Sequence, residues 1–413
     1  MRPFLNSLAE KRSLLFLSLI AFFPISRAVL FVRNQSNRSI EEYASVDLHN
    51  SMNIVATALM IVLVLRPGAR LSALNMVRGP TQWLVLYHGF CVVSSVWSSN
   101  PVYVVYRAVE LIAVLFFMAY ILDTIRDPTE GILYLCRFSA VTALLPYLSQ
   151  VARSGAAFQH TNAFSTCGAF GAALALAAIK SGVLKFADVK YSLAACLVAV
   201  VFGTSAASNI SLIVGILMIA ASKGRAISIG RLALLSVVVF FVLTWGFEAA
   251  RPYLFPGKTT EHVRSLRGRA LLFEDFLGAF QERPLLGHGF ASGEKSVQVY
   301  GYRVVNSTHN AILSVAVNTG IVGLLFFCTG FYRVVSTLYK ADLAGYRVAY
   351  PILVAMIVGL FNSMAYPLVG SDWRYTTTPF LGIVAYASIF VAPMYQWVED
   401  YLWTDSCDWH TSC

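Results

Sequence analysis

The residues best suited to chemistry lie in one polar stretch, Glu261 to Gly323. It opens with E-H-V-R-S-L-R-G-R-A-L-L-F-E-D (Glu261–Asp275), passes through E-R-P-L-L-G-H-G (Glu282–Gly289) and closes on N-S-T-H-N-A-I-L-S-V-A-V-N-T-G-I-V-G (Asn306–Gly323). Arg264, Arg267 and Arg269 fall within six residues, and Gly268 lets the backbone turn between the last two. Guanidinium forks bind phosphate oxygens two at a time and stay charged at any working pH, which suits a diphosphate. The same arginines would also serve ordinary anionic lipid heads, or Glu261 and Glu274. His309 follows Ser307 and Thr308, either of which is a good cap for the apolar helix beginning there. In the first turn of that helix an imidazole feels the positive end of the helix dipole, which disfavours its charged form. A neutral imidazole can take a proton from an attacking hydroxyl. The plainer role is a capping or interfacial histidine. Asn310 is placed to orient His309. His288, between Gly287 and Gly289, is a lesser candidate. Asp372 and Arg374 either face the same pocket or form a surface pair.

The elements that must position these residues are membrane spans. The chain has 413 residues, 57% hydrophobic and 13% charged, with mean hydropathy +0.66; a soluble domain carries about 25% charged residues. Apolar runs of roughly 20 residues point to helices, not to a barrel of alternating strands. Twelve spans are predicted, near Ser13–Phe31, Met52–Leu65, Gln82–Ser98, Val102–Leu122, Ile132–Val151, Ala163–Lys180, Tyr191–Gly203, Asn209–Ser222, Leu232–Glu248, Ala311–Tyr332, Val348–Pro367 and Pro379–Trp397. The expected fold is therefore all-α: one polytopic transmembrane domain over residues 1–413, with about 12 transmembrane helices and one long loop, residues 249–308, between spans 9 and 10.

Charge orients the spans. With the N-terminus cytoplasmic, the inner side holds sixteen Lys and Arg residues and the short outer loops hold four, Arg33, Arg38, Arg153 and Arg374. This bias puts both termini in the cytoplasm and the long loop outside. The net charge of +10 is first a matter of this rule, so nucleic acid is not implied as a partner. The long loop breaks the rule with eight further basic residues, among them Arg264, Arg267, Arg269, Arg283 and Lys295. An anionic ligand at the outer membrane surface explains them.

Other features add less. Arg107 and Glu110, three apart in one span, either pair or snorkel separately to the interface. The Gly- and Ala-rich run Ala163–Ile179 suits close helix packing, as do Gly320 and Gly323. Pro24, Pro146, Pro351 and Pro367 mark kinks or span ends. The seven cysteines show no spacing pattern and imply no disulfide framework. The first apolar run lacks a small-residue cleavage site and reads as a span. There is no Gly-rich nucleotide loop, Asp-x-Asp or His-Glu-x-x-His, so no cofactor and no metal are implied.

The order of these motifs resembles the O-antigen ligase/polymerase superfamily, polytopic bacterial glycosyltransferases that use lipid-linked glycans. The resemblance covers most of the chain. It runs through W-S-S-N-P with a downstream arginine (Trp97–Pro101, Arg107) and F-Q-H-T-N-A-F (Phe158–Phe164). It is strongest in R-G-R-A-L-L-F, R-P-L-L-G-H-G and T-H-N-A-I-L with T-G-I-V-G. It implies that His309 matches the family's essential periplasmic histidine, and Arg269 the arginine thought to engage the diphosphate, with Arg267 as its neighbour. The sequence departs at Thr204–Ser208, which lacks the family's arginine, at Phe273 where Trp is common, and at Asn318 where an acid often precedes Thr-Gly. Arg374 or Arg107 would replace the missing arginine.

What the resemblance implies is a metal-independent, inverting transferase in the bacterial inner membrane. His309 and Arg269 would be catalytic; Arg264, Arg267, Asn310, Arg374, Asp372 and Arg107 would bind substrate. The partners would be an undecaprenyl-diphosphate-linked glycan, a glycan or lipid A core acceptor, the bilayer and other polysaccharide assembly proteins. A surface-polysaccharide polymerase is the leading expectation, an O-antigen ligase the alternative, and a transporter of lipid-linked glycan without chemistry the alternative of another class.

Overall fold

The computed structural model describes residues 13–23, 25, 48–152, 161–203, 205–222, 269–299, 303–304, 308–370 and 375–394, and these are overwhelmingly helical. The helices are α1 (Ser13–Phe23), α2 (Leu48–Val64), α3 (Arg70–Arg78), α4 (Gln82–Val93), α5 (Pro101–Ile125), α6 (Pro128–Ala152), α7 (Thr161–Lys180), α8 (Phe186–Gly203) and α9 (Ala206–Ala221). Then come α10 (Arg269–Glu282), the single turn α11 (Gly293–Ser296), α12 (Ala311–Leu343), α13 (Ala349–Ser363) and α14 (Thr377–Tyr386). The only extended pairing among the described residues is a two-residue antiparallel ladder, Gln298–Val299 with Arg303–Val304.

Six helices, α5, α6, α7, α8, α12 and the one that begins as α14 and runs to Met394, are long and apolar enough to cross a membrane. Residues Asn50–Val64 and Pro67–Arg78 pass the same test only together, as a pair bent by 81° at the break between them. Pro67 and Gly68 end the first helix, and Arg66, Arg70 and Arg78 keep the second out of hydrocarbon. Helices α1, α9 and α13 are apolar but shorter. The expected span 232–248 lies outside the described residues. Several boundaries differ from the sequence expectation, two of them informatively. Helix α8 begins at Phe186, five residues before the predicted start, because Asp188 accepts from the Lys185 amide at 3.1 Å and starts the helix there. Lys190 then lies over the Tyr191 ring at 4.9 Å. Helix α12 runs on to Leu343, well past the predicted Tyr332.

The core is built around α7, which packs on α6, α8, α9 and α13. Its small residues permit this: a side chain at Gly171 would meet the Cys196 sulfur and the Ser139 Cβ. On the other flank, Thr166 donates to Asn362 Oδ1 at 2.9 Å, and Asn362 Nδ2 donates to Ser208 and Ser211 at 3.1 and 3.0 Å. These bonds tie α7, α9 and α13 together where hydrocarbon offers no other partners, each worth about 0.6 kcal/mol. Ser208 ends the Thr204–Ser208 stretch, where the sequence departs from the family it resembles.

The described residues before α5, before α11, just before α12 and after α13 meet at one end of the bundle, and every motif behind the resemblance that falls among the described residues, apart from Thr161–Phe164 of α7, is found there.

Candidate functional site

The site is organised by a break in α12. Gly320 has φ 65° and ψ −165°, a conformation essentially reserved for glycine. The helix is thereby interrupted in the middle of V-N-T-G-I-V. Its freed backbone groups are taken up by the R-P-L-L-G-H-G loop. The amides of His288 and Gly289 donate to the carbonyls of Val317 and Asn318 at 3.0 and 2.8 Å. In return the amides of Ile321 and Val322 donate to Pro284 and Leu285 at 2.8 and 3.2 Å. Unsatisfied backbone groups at membrane depth cost several kcal/mol each, so loop and break require each other. Gly287, with φ 65°, passes directly over the Asn318–Thr319 peptide. The sequence expectation that Gly320 only permits close packing is thus too weak: it is the breaking point itself.

The W-S-S-N-P segment closes the other side of the loop. Trp97 Nε1 donates to the Leu286 carbonyl at 3.2 Å, the Phe290 amide donates to Ser94 Oγ at 2.9 Å, and the Ser98 and Ser292 hydroxyls share a 2.6 Å bond. Asn100 then caps α5 by accepting from the Tyr103 amide at 3.2 Å, with Pro101 in the first turn.

His309 does not lie in the first turn of α12, as the sequence suggested. Asn310 is the N-cap, its side chain accepting from the Leu313 amide at 3.1 Å, and His309 stands one residue outside the helix with φ 55°. The capping role expected of Ser307 or Thr308 thus falls to Asn310. The Thr308 hydroxyl instead donates to the Asn310 carbonyl at 2.7 Å and accepts from the Asn310 amide at 3.2 Å, bracketing His309. The helix dipole weakens beyond the first turn, so its hold on the imidazole is less than expected. His288 points elsewhere: its Nε2 meets the Ala279 carbonyl at 2.7 Å, which fastens the loop to α10.

Two charged residues outside the predicted set of site residues, Glu294 and Lys295, occupy the centre. Glu294 is fully buried and accepts from the Thr308 amide at 3.0 Å, from Asn318 Nδ2 at 2.9 Å and from the Ser314 hydroxyl. Its neighbour Lys295, also buried, donates to the Ala291 carbonyl at 3.1 Å and lies over the Tyr103 ring at 5.3 Å. Arg107 lies over the same ring at 5.2 Å and pairs with Glu110 at 2.8 Å. Asn53 on α2 donates to the other oxygen of Glu110 at 2.8 Å. So Arg107 and the His309 segment are joined through consecutive residues, 294 and 295. By sequence Lys295 counts among the loop residues that meet an anionic ligand, and Glu294 carries no expected role; in the structure Lys295 is spent on the Ala291 carbonyl and the Tyr103 ring. Asn318, noted as a departure from an acid, partners an acid supplied by the loop instead.

Arg107 and Glu110 are 4% and 2% exposed, which favours pairing over snorkelling. Removing one member of a buried pair leaves a charge without its counter-charge, at a cost of about 3 kcal/mol. Glu110→Ala is therefore expected to lower the melting temperature in detergent clearly more than the double change with Arg107→Met; equal loss in both would show that the pair is not coupled.

Arg269 is the first residue of α10. Phe273, at the position where Trp is common, packs against Leu272, Phe276 and Val317 between α10 and α12. Arg264, Arg267, Asp372 and Arg374 lie outside the described residues. The segment leading to the last two is anchored at the site: the Gly370 carbonyl accepts from Ser314 Oγ at 3.0 Å. Just beyond it, burial holds the Tyr375 phenol well above its usual pKa, so it stays protonated.

Fold and site together define a multi-pass membrane protein with a polar centre at one end of its bundle. Residues 191–328 match the family described as O-Antigen ligase, a match that supports the O-antigen ligase/polymerase superfamily and, with it, a membrane glycosyltransferase of that type. No curated protein matches the chain.

Proposed function

We propose that the protein transfers a glycan from undecaprenyl diphosphate to an acceptor hydroxyl at the periplasmic face of the bacterial inner membrane, most simply as a surface-polysaccharide polymerase. The observation that carries this reading is the convergence on α12 of three separated motifs, with His309 held outside the helix beside buried charged groups. The Lys and Arg bias places both termini in the cytoplasm and the loop 249–308 in the periplasm. The donor enters between spans. Arg269, assisted by Arg267 or Arg264, holds the diphosphate and stabilises its charge as it leaves. Arg107, buried at the site, takes the place of the arginine missing near Ser208; Asn310, Asp372 and Arg374 complete the substrate contacts. His309 accepts the acceptor's hydroxyl proton while that oxygen attacks the anomeric carbon from the face opposite the diphosphate. The new C–O bond forms as the bond to the carrier breaks, and the configuration inverts. Undecaprenyl diphosphate departs with the electron pair, and the imidazolium returns its proton to solvent.

The test is the purified protein with one defined lipid-linked repeat, its products resolved on a gel. A ladder supports polymerisation. Product only after addition of lipid A core would make the protein a ligase, and no transfer to either acceptor would sink the proposal. In the same assay Arg269→Ala is expected to reduce turnover by about 10²-fold, the scale of one lost charge-stabilising donor. Arg269→Lys should recover little, because an ammonium cannot make the two-point contact; full recovery would exclude bidentate binding.

A further inference from the structure

We propose that Glu294 is the positioning residue of the His309 centre. The inference rests on the reading of His309 given above and extends it to a group the sequence motifs do not include. Glu294 is 0% exposed. Its two oxygens are fully engaged: Oε2 accepts from the Thr308 amide, Oε1 from Ser314 Oγ and Asn318 Nδ2. Its own amide donates to Asn318 Oδ1 at 3.1 Å, so residue 294 is locked to α12 by both main chain and side chain. A buried carboxylate is tolerated only with such partners. A glutamine would not do: its amide nitrogen must face either the Thr308 amide or the two side-chain donors, setting donor against donor.

The consequence falls on the next residue. The carboxylate fixes the Thr308 amide, and the Thr308 hydroxyl fixes both the carbonyl and the amide of Asn310. His309, between them, is kept at φ 55°, a conformation that is strained for a residue with a side chain and persists only where the surroundings enforce it. Glu294 and Thr308 supply that enforcement. They hold the imidazole away from the helix and do not themselves reach the reacting atoms. Loss of the carboxylate should therefore let His309 relax, lowering turnover while leaving donor capture by the arginines alone.

The experiment measures kcat and KM for the lipid-linked donor in Glu294→Gln, Glu294→Asp, Thr308→Val and His309→Ala, each expressed per folded molecule. Misplacement of a reacting group by about an ångström costs about 10²-fold, so Glu294→Gln should lose about that much in kcat with KM changed less than about twofold. Glu294→Asp, which keeps the charge, should recover part of the loss. Thr308→Val, nearly isosteric, should reproduce the kcat effect by the second route and decides the matter if Glu294→Gln fails to fold. A purely structural Glu294 would instead lower the melting temperature with kcat per folded molecule intact. That result, or wild-type kcat in both Glu294→Asp and Thr308→Val together with Glu294→Gln, overturns the proposal. If His309→Ala alone keeps wild-type kcat, the reading of the site fails and the positioning role fails with it. If His309→Ala is inactive and the other variants are normal, only the positioning role is lost.

Discussion

Changing His309 to alanine is expected to reduce glycan transfer by about 10²–10⁴-fold, the range for loss of a positioned general base. That is about 3–5 kcal/mol of barrier. Binding of the lipid-linked donor should be unchanged, because the diphosphate contacts are assigned to arginines on other segments. Purified protein gives the rate, and inverted vesicles give a second readout that separates the classes of function. Loss of product with normal export of lipid-linked units fits an enzyme. Loss of export would favour a transporter, a reading to which the buried polar groups lend little: Thr166, Ser208, Ser211 and Asn362 bond one another across three helices, as packing contacts do. Undiminished transfer would remove His309 from the chemistry.

Gly320→Val should remove most folded protein from the membrane. The backbone there has φ 65° and ψ −165°, and a Cβ would overlap the Leu285 carbonyl. Strain of about 1–3 kcal/mol for the conformation adds to about 1–3 kcal/mol for overpacking. If the helix straightens to escape both, the His288, Gly289, Ile321 and Val322 amides lose their present acceptors. A total of about 2–6 kcal/mol is expected from these terms together, read as a collapse of the monodisperse peak in detergent or a large fall in melting temperature. A well-folded Gly320→Val protein with wild-type activity would show that the break in α12 is not needed.

The helical class and the positions of the six long apolar helices were legible because hydrocarbon demands long apolar runs. The motifs W-S-S-N-P, P-L-L-G-H-G and V-N-T-G could be picked out of the sequence, but the reason they belong together could not. Their contact depends on a helix that stops and resumes at Gly320, and hydrophobic periodicity does not register such a stop in an otherwise apolar run. Glu294 was missed, and Lys295 noted only as one of the loop's basic residues, for a related reason: a charged pair between Gly293 and Ser296 has the local pattern of a solvated turn, and only tertiary packing buries it. His309, expected in the first turn of the helix, instead precedes it, since Asn310 takes the capping role once its side chain reaches the Leu313 amide.

The four bonds that couple residues 284–289 to α12 all run from main chain to main chain, while Leu285 and Leu286 turn outward at 65% and 43% exposure. The identity of those two leucines is therefore decoupled from the architecture beneath them. Randomising positions 285 and 286 offers a way to diversify the outer surface of this loop in the laboratory, with the scaffold's integrity left to atoms that mutation does not alter.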